Sequence, residues 1–248
     1  MTDKTLGYWQ AKAKDARIHT QAYIDGKRTD AASGETFETI NPATGEVLAK
    51  VASCDVADVD KAVAAARRAF KSGIWADLHP TERGKVMIRW AELMEKHADE
   101  LAVLETLDMG KPISDATSID IPASINSIRW YGEAANKVLD EIAPTDPGAL
   151  AMITREPIGV VAAVVPWNFP LLMACWKLGP ALATGNSVVL KPAEQSPLTA
   201  LRIADLAEEA GIPAGVFNVV TALATRRAKA LGFIWMWTGW ASLAQHRL

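Results

Sequence analysis

Two short segments combine side chains whose types and spacing could do chemistry. In Val165-Pro166-Trp167-Asn168-Phe169-Pro170, prolines fix the backbone on either side of an asparagine. An amide donor held rigidly beside a helix start can stabilise a developing oxyanion. The same asparagine could instead simply cap the helix that follows. In Lys191-Pro192-Ala193-Glu194, a cation and a carboxylate stand three residues apart. Side by side they could hydrogen-bond a ribose diol, and the acid would repel a 2′-phosphate, favouring NAD over NADP. On a surface loop the same two residues would be no more than a solvated ion pair. Neither a G-x-G-x-x-G fingerprint nor a Walker loop occurs, so no standard phosphate cradle is encoded. The two cysteines, Cys54 and Cys175, are too few for a disulfide framework. They read as buried core thiols, the usual fate of free cysteine.

Both segments follow runs that read as strands of a parallel sheet. Ile158 to Val165 is a near-continuous β-branched and alanine run, the pattern of a strand buried on both faces. A helix over Leu171–Ala183 is expected to break or restart at Pro180. Ser187–Leu190 forms the next strand, Leu198–Ala210 a helix stopped by Gly211, and Val216–Val220 a third strand. Two successive βαβ units imply a doubly wound sheet, which binds ligands outside the carboxyl ends of its strands. That is where the two segments fall.

Upstream, residues 1–50 read as an arm followed by short strands: Ala22–Gly26 entering an Asp-Gly turn, Thr36–Ile40, and Val47–Val51. Helical spacing then predicts one helix from Asp55 to Gly73 and another from Pro80, with Val86, Trp90, Leu93, Met94 and His97 inward. A third covers Ala98–Asp108, ending at Gly110, and a longer one covers Ile119–Val138, packed through Trp130 and Tyr131. Pro144, Pro147 and Gly148 open an extended excursion over 143–156. The fold class expected is therefore α/β: an incomplete doubly wound parallel sheet with an N-terminal arm and hairpin region and a helical layer.

Composition narrows the function classes. Half of the 248 residues are hydrophobic and 22% are charged, which fits a globular protein and excludes a disordered chain or a coiled coil. A formal net charge of −3 leaves no basic footprint, so no nucleic-acid partner is expected. No run of eighteen apolar residues exists, so no membrane span is expected, and no metal-ligand cluster stands out. The polar opening Met1–Gln10 lacks the core of a secretory leader, which predicts a cytoplasmic address.

From Val164-Val165-Pro166-Trp167-Asn168-Phe169-Pro170 through Trp176–Asn186 to Lys191-Pro192-Ala193-Glu194, the chain closely resembles the NAD(P)-dependent aldehyde dehydrogenase superfamily. Tyr23-Ile24-Asp25-Gly26, Asn41–Glu46 and Leu107-Asp108-Met109-Gly110-Lys111-Pro112 resemble the same family, and the similarity covers roughly residues 8–221. The Tyr8-Trp9 opening is similar to the branch acting on γ-glutamylamino-butyraldehyde. The resemblance implies a Rossmann-like cofactor domain and oxidation of a small-molecule aldehyde with NAD. It implies that Asn168 is the oxyanion-hole asparagine and that Lys191 and Glu194, with Ala193 between them, bind the adenosine ribose. It places Val164, Val165, Pro166 and Trp167 along the dinucleotide. It also implies a homo-oligomeric parent whose oligomerisation flap corresponds to residues 143–156.

The family reaction needs a thiolate nucleophile and a carboxylate base, which the resemblance places in Gly-Gln-x-Cys and Glu-Leu-Gly-Gly segments. Neither segment occurs in this sequence. The chain is thus expected to be a truncated, catalytically dead N-terminal part, exposing a sheet edge and prone to aggregate. Alternatively it is a non-catalytic fragment that pairs with a full-length homologue. The composition also changes after about Thr221: acidic residues vanish, and three of the nine tryptophans fall at Trp235, Trp237 and Trp240. Reverse translation from the third base of the Phe233 codon forces Asp-Val-Asp and permits a family-like continuation. Residues 222–248 are therefore expected to be a frame-shifted tail.

Overall fold

The structure is a computed structural model and describes residues 4–223. Helix α1 (Leu6–Asp15) occupies the region expected to be an arm; Thr5 caps it by accepting from the Tyr8 N–H. Strands β1 (Ala22–Ile24) and β2 (Lys27–Thr29) form a hairpin whose turn residues, Asp25 and Gly26, both have positive φ. That is the tight primed turn whose twist matches paired strands. Strands β3 (Thr36–Ile40) and β4 (Val47–Ala52) make a separate two-stranded sheet.

Helix α2 (Val56–Lys71) starts from a complete capping box between Asp55 and Asp58. Helices α3 (Pro80–Lys96) and α4 (Ala98–Met109) follow, α4 ending at left-handed Gly110. A short turn, α5 (Ile113–Asp115), leads through a π-helical turn at Ala116–Asp120 into α6 (Ile121–Ala134). The helix expected over 119–138 is therefore entered through a π-turn and stops four residues early. Tyr131 packs against Gly179, whereas Trp130 is 60% exposed, so only one of the two aromatics serves the helix packing proposed for both.

Strands β5 (Glu141–Ala143) and β6 (Ala151–Ile153) pair as an exposed antiparallel flap. The parallel core comprises β7 (Val160–Val164), α7 (Pro170–Ala183), β8 (Ser187–Lys191), α8 (Leu198–Ala210) and β9 (Phe217–Val219). Strand order in the main sheet is β2-β1-β9-β8-β7, with β7, β8 and β9 parallel and the N-terminal hairpin added antiparallel to β9. The expected α/β class holds. The hairpin that the sequence places after the arm joins this sheet as its edge.

Alternation along the strands sorts the core into two faces. Val160, Val189 and Val220 meet Val59, Ala62 and Ala66 of α2. Val188, Leu190, Phe217 and Val219 meet the opposite layer, which includes Leu178 and Leu182 of α7, Leu201 and Leu206 of α8, and Trp90 of α3. The Trp90 indole donates to the Ile203 carbonyl at 3.1 Å and its ring lies 5.8 Å from that of Phe217. Two expectations fail here. Helix α7 runs through Pro180 unbroken, because that proline stands in its last turn and removes one backbone bond near the exposed Trp176. Strand β7 is not buried on both faces: among the described residues it pairs with β8 alone, and Val164 is 52% exposed.

Candidate functional site

The two chemically suggestive segments leave adjacent parallel strands at the same level. Val164 of β7 lies opposite Lys191 of β8, and the Val165 N–H donates to the Lys191 carbonyl at 3.1 Å. Beyond that point the loops touch again, where the Ser196 hydroxyl meets the Trp167 carbonyl at 3.4 Å. Parallel register alone therefore brings Val164, Val165, Pro166, Trp167 and Asn168 beside Lys191, Ala193 and Glu194. Val165, Lys191 and Ala193 are buried, Glu194 is half-buried, and Val164, Pro166, Trp167 and Asn168 are exposed.

Asn168 is not a helix cap. Phe169 occupies the N-cap position of α7, with no side-chain cap bond. Among the described residues the Asn168 amide side chain makes no hydrogen bond, so it is available to a ligand. Its backbone is tied instead: Lys111 donates to the Asn168 carbonyl at 3.4 Å, and the same ammonium sits 3.8 Å from the centre of the Phe169 ring. Lys111 is in turn ion-paired with Asp120 at 2.7 Å, both side chains being almost entirely enclosed.

Lys191 is not the solvated surface cation that its spacing alone allowed. Its side chain is 3% exposed, and its ammonium reaches the Pro192 carbonyl at 3.1 Å and the Glu194 carboxylate at 3.4 Å. A buried ammonium seeks acceptors, and here both are at the loop that would face a ligand. The pair offers a donor and an acceptor side by side, the complement of a vicinal diol. Glu194 also borders a cavity of about 610 Å³, whose other walls include Trp167, Met109 and, from the β3–β4 side, Glu38, Thr39 and Pro42.

Below the site lie acids that the helical spacing did not single out. Asp108 accepts from the Thr39 hydroxyl at 2.6 Å and from the Leu198 N–H at 2.7 Å, so a carboxyl on α4 caps the start of α8. Burial pushes it up to about 7 despite those bonds. Burial likewise pushes Glu105 up to about 8, with Lys111 pulling the other way. Glu105 and Asp108 stand four and seven positions after Leu101, so they share with Leu101 and Leu104 one buried face of α4; carboxyls are ordinarily kept out of such a face. Lys111 stood in a motif with no role attached. No local spacing links it to Asn168, which is 57 positions away.

Cys175 is fully buried and its thiol is pushed up by burial, then by the nearby Glu105. Cys54 is buried too, 3.8 Å from the Thr221 hydroxyl. Both are core thiols, as expected. No metal-holding cluster of His, Cys, Asp and Glu occurs among the described residues, and none of their helices is long and apolar enough to cross a membrane.

Residues 29–231 match the profile of the aldehyde dehydrogenase family. The chain belongs to the aldehyde dehydrogenase family. It is 54% identical over 226 residues to the NADP/NAD-dependent aldehyde dehydrogenase PuuC of Escherichia coli K12, spanning 91% of this chain and 46% of that one. It is 56% identical over 224 residues to the aminoacetaldehyde dehydrogenase of Pseudomonas aeruginosa, covering 90% and 45%. Among solved structures, an indole-3-acetaldehyde dehydrogenase complexed with NAD+ superposes with a TM-score of 0.89 at 59% identity, covering 91% of this chain and 46% of that one. The γ-glutamyl-γ-aminobutyraldehyde dehydrogenase of Burkholderia cenocepacia gives 0.87 at 60% identity, covering 88% and 44%. The chain thus spans about half the length of the aldehyde dehydrogenases it matches.

Proposed function

We propose that residues 1–221 form the NAD-holding part of an enzyme that oxidises an aldehyde to a carboxylic acid. The observation that carries this reading is the pairing of Val164 with Lys191, which sets the Asn168 loop and the Lys191–Glu194 pair side by side at one sheet end. In this reading Lys191 and Glu194 bind the ribose hydroxyls, and Glu194 disfavours a 2′-phosphate. Val164, Val165, Pro166, Trp167 and Ala193 flank the dinucleotide. Asn168 donates its amide N–H to the oxygen that gains charge when the aldehyde is attacked. NAD, when bound, accepts the hydride.

The 248-residue chain alone does not turn over, because neither buried thiol can reach an aldehyde and no carboxylate of the Glu-Leu-Gly-Gly type is present. Its address is the cytoplasm, and residues 222–248 are translated out of frame, which sequencing the encoding DNA tests.

Titration calorimetry tests the site. NAD+ binds the chain, Lys191→Ala weakens it, and Glu194→Gln narrows the preference for NAD+ over NADP+ by roughly tenfold, the order expected for removing one nearby charge. Equal heats for parent and Lys191→Ala would remove the cofactor reading, and aldehyde-dependent NADH formation by the purified chain would remove the proposal of inactivity.

A second reading has its own observation. The flap carries Leu139, Ile142, Leu150, Met152 and Ile153 largely exposed, an apolar surface of the kind that binds another protein. In this reading the chain pairs through residues 143–156 with a full-length homologous subunit. Co-expression with such a homologue and purification through a tag on the short chain tests it; recovery of the short chain alone counts against it.

A further inference from the structure

Lys111 stands at the junction of two otherwise separate features. On one side is Asp120, 2% exposed and at the end of the π-turn, which holds the ammonium at 2.7 Å. On the other side are the Asn168 carbonyl at 3.4 Å and the Phe169 ring at 3.8 Å. A π-turn breaks the regular helix ladder, and such turns recur where a chain is shaped for a task. Here the turn sets one buried carboxylate against one cation. That cation, 10% exposed, spends its remaining valences on the two residues that frame the Asn168 side chain. The neighbours of Asn168 are tied through the Trp167 carbonyl, which meets the Ser196 hydroxyl at 3.4 Å, and the Phe169 carbonyl, which accepts from the Met173 N–H at 2.9 Å; at Asn168 itself the contact from Lys111 is the one hydrogen bond among the described residues.

We propose that Lys111 is a positioning residue, which fixes the direction of the Asn168 amide by holding the Asn168 carbonyl and the Phe169 ring against buried Asp120. The proposal rests on the reading of Asn168 as the oxyanion donor, and it deepens that reading. A donor that must meet charge at the moment it develops gains from being oriented beforehand. A lysine clamped to a buried carboxylate is a firmer anchor than a loop-to-loop contact, because moving it would strip Asp120 of its counter-charge.

The sequence contains a single Asn-Phe pair. Isotope labelling of asparagine carbonyl carbon and phenylalanine nitrogen therefore gives one resonance that reports the Asn168 carbonyl in the whole chain. Lys111→Met moves it upfield, as loss of an ammonium donor requires. It also speeds chymotryptic scission at Trp167–Asn168 by about three- to tenfold, the factor that losing one hydrogen bond of ordinary net strength predicts for a contact as long as 3.4 Å. Lys111→Arg restores both readouts. Should Lys111→Met fail to fold with Asp120 uncompensated, Lys111→Met combined with Asp120→Asn removes both charges and gives the same two changes.

An unmoved resonance overturns the proposal, as does an Arg variant shifted as far as the Met variant. So does a scission rate that rises equally at buried Trp90, which would make Lys111 a general stabiliser. None of these readouts uses cofactor. A failed NAD+ titration with the Asn168 resonance still moving would therefore count against the site reading alone.

Discussion

Glu105 shows how far a single buried group can colour the behaviour of the domain. Its carboxyl is 0% exposed and is pushed up to about 8 by burial. The folded chain therefore holds this proton more tightly than the unfolded chain, whose glutamate titrates near 4.5. The stability this group contributes is whole below about pH 4.5 and is lost as pH rises toward about 8. Asp108, pushed up to about 7, acts in the same direction. We predict that the thermal midpoint of Glu105→Gln falls less between pH 5 and pH 8.5 than that of the parent chain, as followed by circular dichroism; parallel pH profiles would contradict this. Spacing alone places both acids on the face of α4 that carries Leu101 and Leu104; what hid their burial in the sequence is their residue type, since an unpaired-looking carboxyl is ordinarily read as solvated. The Lys191–Glu194 and Asn168 segments were legible because each is short and local. What decides their environment, the depth of Lys191 and the tether from Lys111, comes from residues distant in sequence.

At the scale of elements, the strand and helix boundaries inside the βαβ region agree with the sequence to within about two residues. Alternation, β-branched runs and glycine stops are properties of neighbours. Pro180 misled for the opposite reason: the rule that proline breaks helices concerns the interior, and only the structure shows that this one lies in the last turn. The crossing of α3 with α6 carries no sequence signal beyond two glycines. A Cβ on Gly84 would sit 2.4 Å from the Gly132 carbonyl oxygen, and one on Gly132 would sit 3.1 Å from that of Gly84. The helices touch backbone to backbone, so any side chain there must part them. We predict that Gly84→Ala destabilises the chain by about 1–3 kcal/mol, the usual range for overpacking, measured by urea denaturation. An unchanged midpoint would mean that the crossing yields without strain.

For the molecule as a whole, the main sheet is closed on one side by the N-terminal hairpin. Tyr23 of β1 pairs with Val219 of β9, and the Asp25 N–H donates to the Asn218 side chain at 3.0 Å. Asn218 in turn donates to the Gly215 carbonyl at 2.7 Å, so a single buried amide fastens the hairpin turn to the sheet. We predict that deleting residues 1–30 exposes the β9 edge and converts the chain to aggregates, detected by light scattering at equal concentration; a monodisperse deletion product would refute this. The same pairing sets an order of events at the ribosome. Asp25 and Asn218 are 193 positions apart, and at roughly 5–20 residues per second the earlier of the two emerges on the order of ten to forty seconds before the later. Through that interval the first hairpin to be synthesised has no sheet to join, so a nascent-chain chaperone would meet it early and release it late.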